Sequence, residues 1–206
     1  MLEVEQGSVE WKAARLGNAT ASRMADLMAK TKSGYSASRG NLMAALIVER
    51  LTGVPMETYT NAAMQHGLDY EDEARSAYEF YIGVPVEKAS YVPHPTIEHS
   101  GASPDGLIGT EGLLEIKCPN TATHIETLLN GGADRKYILQ MQWQMACTDR
   151  KWCDFASYDP RVPANLKLYV ERVPRNDELI SEMSAEVVKF LSELEQKLSK
   201  LEALNI

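Results

Sequence analysis

The sequence predicts an α/β (α+β) domain in which a central mixed β-sheet is flanked by helices. Three observations lead there. Helical periodicity dominates up to Gly83; period-two segments punctuated by Gly and Pro run from there to Pro119; a helix pair then precedes two more strand-like segments and a terminal helix. Helices placed before, within and after a run of strands can cover a sheet on its faces. At 206 residues the chain can bury one good-sized core, and residues 1–206 are expected to form one domain.

In chain order, "SVEWKAARLG" reads as a short helix stopped by Gly17, and "TASRMADLMAK" as a second helix with Thr20 or Ser22 near its start. "TKSGYSASRGN" reads as a polar, basic loop, and "NLMAALIVERLTG" as an apolar helix closed by Gly53. "NAAMQHGLDYEDEARSAYEFYIG" is a longer helical stretch with an expected break at Gly67. "VPVEKASYVPHP" and "IEHSGASPD" read as strands, followed by a hairpin in "SPDGLIGTEGLLEIKCP". "NTATHIETLLNGG" and "KYILQMQWQMACT" return to helix, and "KWCDFASYDP" and "KLYVERVP" are two more strands. A helix of about 28 residues starts at Asp177. Its stripe, Ile180, Met183, Val187, Leu191, Leu194, Leu198 and Leu201, fits either a helix packed on its own sheet or a subunit contact.

Composition excludes several classes. Apolar and charged fractions are globular, so wholesale disorder is not expected. No run of about 18 apolar residues exists to span a membrane. The acidic start "MLEVEQGSVEW" lacks a secretory core. Cys118, Cys147 and Cys153 form no even framework, which points to a reduced, cytoplasmic setting. The net charge of −8 taken alone argues against nucleic acid. Residues 11–50, however, set Lys12, Arg15, Arg23, Lys30, Lys32, Arg39 and Arg50 against Asp26 and Glu49, about +5. A basic patch on an acidic body can bind phosphates, because charges beyond a Debye length of about 8 Å are screened.

The hairpin carries the chemistry. If the chain reverses about Thr110, residues equidistant from it face one another, which sets Asp105 opposite Glu115. Directly opposed residues have Cβ atoms roughly 4.5–5.5 Å apart. Period-two alternation puts Lys117 on the face of Glu115. Two carboxylates about 5 Å apart repel by roughly 3 kcal/mol at an effective dielectric near 20. A shared proton, the lysine or a divalent cation could compensate. Oxygen-only ligands suit Mg²⁺ or Mn²⁺ better than Zn²⁺, and the carbonyl of Ile116 could add a donor.

These residues carry a resemblance. "SPDGL…LLEIKCP" resembles the P-D…(D/E)-x-K core of restriction-endonuclease-like nucleases, and more narrowly that of the phage lambda exonuclease family of YqaJ-like viral recombinases. "EQGSVEWKAARLGNATAS", "HGLDYEDEARSAYEFYIGVPV", "LQMQWQMACT" and "FASYDPR" are similar to further motifs of that family, in order, over most of the chain.

The resemblance implies a restriction-endonuclease-like core and Mg²⁺-dependent digestion of linear duplex DNA from the 5′ end, with Mn²⁺ able to substitute. The 3′ overhang left behind would serve a single-strand annealing protein. By position, Asp105 and Glu115 correspond to metal ligands, Glu71 to a third acid, and Lys117 to the group that orients or deprotonates water. Gln140 matches a glutamine near the family's site. Arg15 and Ser22 match its 5′-phosphate pocket, where a helix N-terminus near Thr20 would add N–H groups. Met64 stands where the family has an apolar wedge that parts the duplex, though a core methionine fits equally. Lys30, Lys32, Arg39 and the loop around Tyr35 are candidates for the DNA backbone. Asn120 and Thr123 depart from relatives that carry an aromatic and an arginine there; His124 is the nearest replacement. The resemblance also implies a homotrimeric ring, a phage or prophage origin and action in the bacterial cytoplasm; an alkaline optimum is expected of a lysine base. Competing readings are a structure- or site-specific endonuclease, a metal-free glycoside hydrolase using Asp105 and Glu115, and a non-catalytic DNA-end or protein-binding module.

Overall fold

A computed structural model describes residues 6–56 and 62–204, with the side chains of 62–64 left aside. Helix α1 (Val9–Arg15) is capped by Ser8, whose hydroxyl accepts from Trp11 N–H. It leads through Gly17 into β1 (Ala19–Thr20), a 3₁₀ turn (Ala21–Arg23) and α2 (Met24–Met28). The second helix is therefore shorter than its sequence suggests. The polar basic segment is a small hairpin, β2 (Lys30–Thr31) with β3 (Gly34–Tyr35), rather than an open loop. Helix α3 (Ala37–Thr52) follows, ended by Gly53 in the left-handed region.

Helix α4 (Ala62–Ile82) runs through Gly67 without the expected break. A helical glycine costs about 1 kcal/mol, and buried Ala74 and Tyr78 anchor this helix. The next strands are short: β4 (Val92–Pro93) and β5 (Ser100–Ala102) join β1 in a three-stranded sheet of their own, with β1 and β5 parallel.

The central mixed sheet has the order β6 (Gly106–Ile108), β7 (Gly112–Lys117), β8 (Trp152–Tyr158), β9 (Leu168–Pro174). β7 and β8 are parallel; the other pairs are antiparallel. Between β7 and β8 lie α5 (Thr121–Asn130) and α6 (Arg135–Thr148). Both faces of β7 are covered, which is why "LLEI" is buried throughout. Leu114 and Ile116 face α4 with Ala74 and Tyr78; Leu113 packs with Met141 and Met145 of α6. The alternation puts Glu115 on the α6 face.

Helix α7 (Asp177–Glu202) packs on α2, α3 and α6 rather than on the sheet, because that helical layer lies between them. Ile180, Met183, Val187, Phe190, Leu191 and Leu194 are buried there, while Leu201 is exposed. Most of the stripe thus serves the chain's own core.

Candidate functional site

The hairpin pairs Gly106 with Leu114, Leu107 with Leu113 and Ile108 with Gly112, the register a reversal about Thr110 requires. Gly109 makes the turn at a φ of 51°. Asp105 N–H donates to Leu114 O at 3.1 Å, one residue off that register, so Asp105 sits just beyond the end of the ladder beside Glu115. Its Oδ2 accepts from Ile116 N–H at 2.7 Å. Within a strand the N–H and C=O of one residue point the same way, so the Ile116 carbonyl also faces Asp105.

Glu115 is fully buried. Gln140 Nε2 donates to its Oε1 and Gln144 Nε2 to its Oε2, each at 2.6 Å, from successive turns of α6. Lys117 makes an ion pair with Oε1. Burial would lower the pKa of Lys117, but Glu115 and then Asp105 pull it upward overall, so it holds its proton. The Asp105 carboxyl is pushed well above the usual carboxylate range, first by burial and next by Glu115.

Glu71 comes from α4, on the opposite face of the sheet, and Arg75 ties it in. Arg75 Nη2 donates to Glu71 Oε1 at 2.8 Å, and its Nη1 donates to the carbonyl of Asp105. Gly106 makes room, since a Cβ there would lie 2.2 Å from Val86 and 3.3 Å from the Arg75 guanidinium. Among the described residues no three acidic, imidazole or thiol groups form a ready-made metal cage. The donor set still fits a hard cation: every donor is oxygen, and burial, followed by repulsion from Glu115 and Glu71, pushes the Asp105 carboxyl toward its neutral form, which a cation would oppose.

A pocket built around Arg15 adjoins this edge. Arg15 Nη1 donates to Ser103 Oγ at 3.0 Å and its Nη2 to Ser22 Oγ at 3.4 Å; the guanidinium lies 4.1 Å from the Trp11 ring centroid. Thr20 Oγ1 is 3.3 Å from Ser22 Oγ. Burial lowers the Arg15 pKa to about 10, which leaves it charged at neutral pH. Arg15, Lys12 and Arg23 line one cleft of about 150 Å³. The helix start expected at Thr20 is only the three-residue 3₁₀ turn, so its dipole adds little.

Several expectations change. Arg39 does not reach the site: it is buried, with Nη1 on Glu193 at 2.7 Å and its guanidinium 3.8 Å from the Tyr35 ring centroid. His124 is buried between Ser157 Oγ and Leu166 O, 2.8 Å from each, and so is not placed to replace a basic contact. Burial raises the Cys118 thiol to about 12, which leaves it inert at neutral pH. Met64 falls within α4, but its side chain lies outside the described residues. Sequence reasoning missed Arg75, Gln144 and Ser103. Their signals were spacing: Arg75 is four residues after Glu71, Gln144 four after Gln140, and Ser103 directly precedes the P-D pair.

Comparison with known proteins follows the same lines. The chain is similar to an alkaline exonuclease, LHK-Exo, from Laribacter hongkongensis: 52% identity over 95% of this chain and 97% of that one, with a TM-score of 0.89. The same protein in complex with dAMP matches at 52% identity over the same shares of each chain, with a TM-score of 0.90. A phage-related exonuclease from Haemophilus somnus 129PT, at 15% identity over 89% of this chain and 96% of that one, shares the fold, with a TM-score of 0.72. A search of curated proteins gives no match. Residues 10–151 match the YqaJ-like viral recombinase domain. With that span and half its residues shared with a solved relative, the chain belongs to the YqaJ-like viral recombinase family.

Proposed function

We propose that residues 1–206 form a single exonuclease domain that digests linear double-stranded DNA from the 5′ end and leaves a 3′ single-stranded overhang for an annealing protein. The observation that carries this reading is the placement of the Arg15 seat two residues from the acid pair. Ser103, which holds Arg15, sits on the same segment as Asp105. A terminal phosphate seated there lies beside the Asp105–Glu115–Lys117 edge, which suits release of one nucleotide at a time. Similarity to an alkaline exonuclease supports the nuclease class, and that relative's complex with dAMP fits a nucleotide product.

Asp105, Glu115, the Ile116 carbonyl and Glu71 would hold Mg²⁺, for which Mn²⁺ could substitute, and the ion would supply positive charge against the scissile phosphate. Gln140 and Gln144 orient the Glu115 carboxylate; Arg75 fixes Glu71 relative to Asp105. Lys117, charged and anchored on Glu115, directs the attacking water and balances the phosphate. Arg15 and Ser22 fix the 5′ phosphate.

We assign the working form to a trimeric ring closed around DNA, in the cytoplasm of a bacterial host and encoded by a phage or prophage. A ring supplies processivity that an acidic chain lacks electrostatically; a monomer on sedimentation at micromolar concentration would remove it. Among the described residues no helix is long and apolar enough to cross a membrane.

The decisive experiment digests a duplex labelled at each end, with and without 5′ phosphate, in Mg²⁺ and in EDTA. Metal-dependent loss of the 5′ strand, favoured by the phosphate, is expected. Cutting of closed circles would instead indicate an endonuclease of the same superfamily, and cleavage in EDTA would exclude the metal.

A further inference from the structure

A second cleft, of about 440 Å³, lies at the other end of α2 from Ser22. Its floor is apolar: Ala25, Met28 and Ala29 of the α2 end, and Leu139 of α6. Its rim carries Lys30, Arg135 and Lys136. Glu182 is the acid on this rim, and Lys30 is paired with Glu186 at 2.6 Å. Arg135 and Lys136 are exposed and make no ion pair among the described residues.

One aromatic ring, Tyr137, stands between a lysine of this cleft and the acid–lysine edge. Lys117 Nζ lies 5.2 Å from the Tyr137 ring centroid and Lys136 Nζ 4.7 Å from it, which bounds their separation at about 10 Å. At a rise of about 3.4 Å per nucleotide along the helix axis, the two ammonium groups lie within about three nucleotide steps of each other. Along α6, Arg135, Lys136 and Leu139 serve the cleft while Gln140 and Gln144 serve Glu115. The acid pair thus neighbours both the Arg15 seat, through Ser103, and this cleft, through Tyr137.

We infer that this cleft seats the sugar–phosphate backbone of the strand being digested, on the 3′ side of the scissile bond. The apolar floor takes deoxyribose, and Arg135 and Lys136 take successive phosphates. The inference rests on the exonuclease reading, because the Arg15 seat sets the strand's direction.

The test compares wild type with an Arg135→Ala/Lys136→Ala variant and a control, Lys197→Ala/Lys200→Ala, altered on the exposed far end of α7. Binding of a 5′-phosphoryl duplex is followed by fluorescence anisotropy in EDTA across a salt series. The slope of log affinity against log salt should fall by about two in the first variant and stay unchanged in the control, one unit per lost phosphate contact. In Mg²⁺, KM for the duplex should rise about tenfold while kcat stays within about twofold, the pattern of lost uniform binding. The exchange Arg135→Lys/Lys136→Arg should restore the slope, which separates charge from damage to the fold. A slope like that of wild type, or a fall in kcat with KM unchanged, overturns the inference. If wild type itself neither binds duplex nor releases nucleotides from a 5′ end, the exonuclease reading fails and the cleft's role fails with it.

Discussion

The two glutamines on Glu115 should differ sharply in what their loss does. Gln144 is fully buried and supplies Glu115 Oε2 with its sole donor among the described residues. Gln140 is half-buried and shares Oε1 with Lys117. Leucine at either position keeps the volume and removes the amide. In Gln144→Leu a buried carboxylate oxygen is left with nothing, which costs about 3 kcal/mol. In Gln140→Leu the lysine remains and water can enter, so the loss should be near 1 kcal/mol. For a chain of this size each kcal/mol lowers Tm by about 2–4 °C, so about 6–12 °C is expected for Gln144→Leu and about 2–4 °C for Gln140→Leu. Thermal and urea unfolding of the metal-free protein at neutral pH would measure both. Equal losses, or a Gln144→Leu cost below about 1 kcal/mol, would refute the claim that Glu115 depends on this amide.

Further outcomes follow from the same geometry. Lys117→Ala should abolish strand loss in the end-labelled assay yet retain duplex-end binding; surviving cleavage would remove the lysine from the chemistry. Arg15→Ala should cut the preference for 5′-phosphoryl over 5′-hydroxyl ends by about 10- to 100-fold in kcat/KM, the range of a charge-assisted contact, with little effect on hydroxyl ends. Arg39→Met should leave exonuclease kinetics intact and stability near neutral, whereas Glu193→Gln should destabilise by stranding a buried guanidinium. For Asp159, burial would raise the pKa, but Arg161 and Thr121 hydrogen bonds hold it below the usual carboxylate range. Its contribution is thus present above pH about 4 and lost as pH falls below that. An Arg161→Met variant should therefore be less stable than wild type at pH 7, with the difference shrinking in acid unfolding curves.

The site's two strands could be read in advance because their determinants are local. The reversal at "GTEG" and the period-two alternation fix which side chains meet, and the observed pairs need nothing from elsewhere in the chain. Arg39 misled for the opposite reason. Its partner Glu193 is 154 residues away, and no pattern near "SASRGN" says that α7 will cover it. Gln144 and Arg75 hid in plain helical text, since an amide or guanidinium facing a buried carboxylate looks the same in sequence as one facing water. The break expected at Gly67 failed because packing outweighed propensity. The one sheet expected became two, besides the β2–β3 hairpin, because β5 pairs with β4 on one side and on the other with β1, from a segment about eighty residues earlier.

The charge distribution explains how an acidic chain can still address DNA. Of the seven cations in residues 11–50, three are tied to α7: Lys30 to Glu186, Arg39 to Glu193 and Arg50 to Glu195. They staple the segment to the last helix. Four remain: Lys32 is exposed, and Lys12, Arg15 and Arg23 line the cleft beside the proposed phosphate seat. Positive charge is thus concentrated by fold rather than by count. Acids elsewhere, more than a Debye length away, weaken that seat little. The end-directed exonuclease proposed here gains from such a division: a grip on the terminal phosphate stronger than that on the internal duplex lets the enzyme move forward after each nucleotide instead of stalling. A uniformly basic surface would bind internal DNA as readily as ends, and the discrimination proposed for Arg15 would be lost against that background.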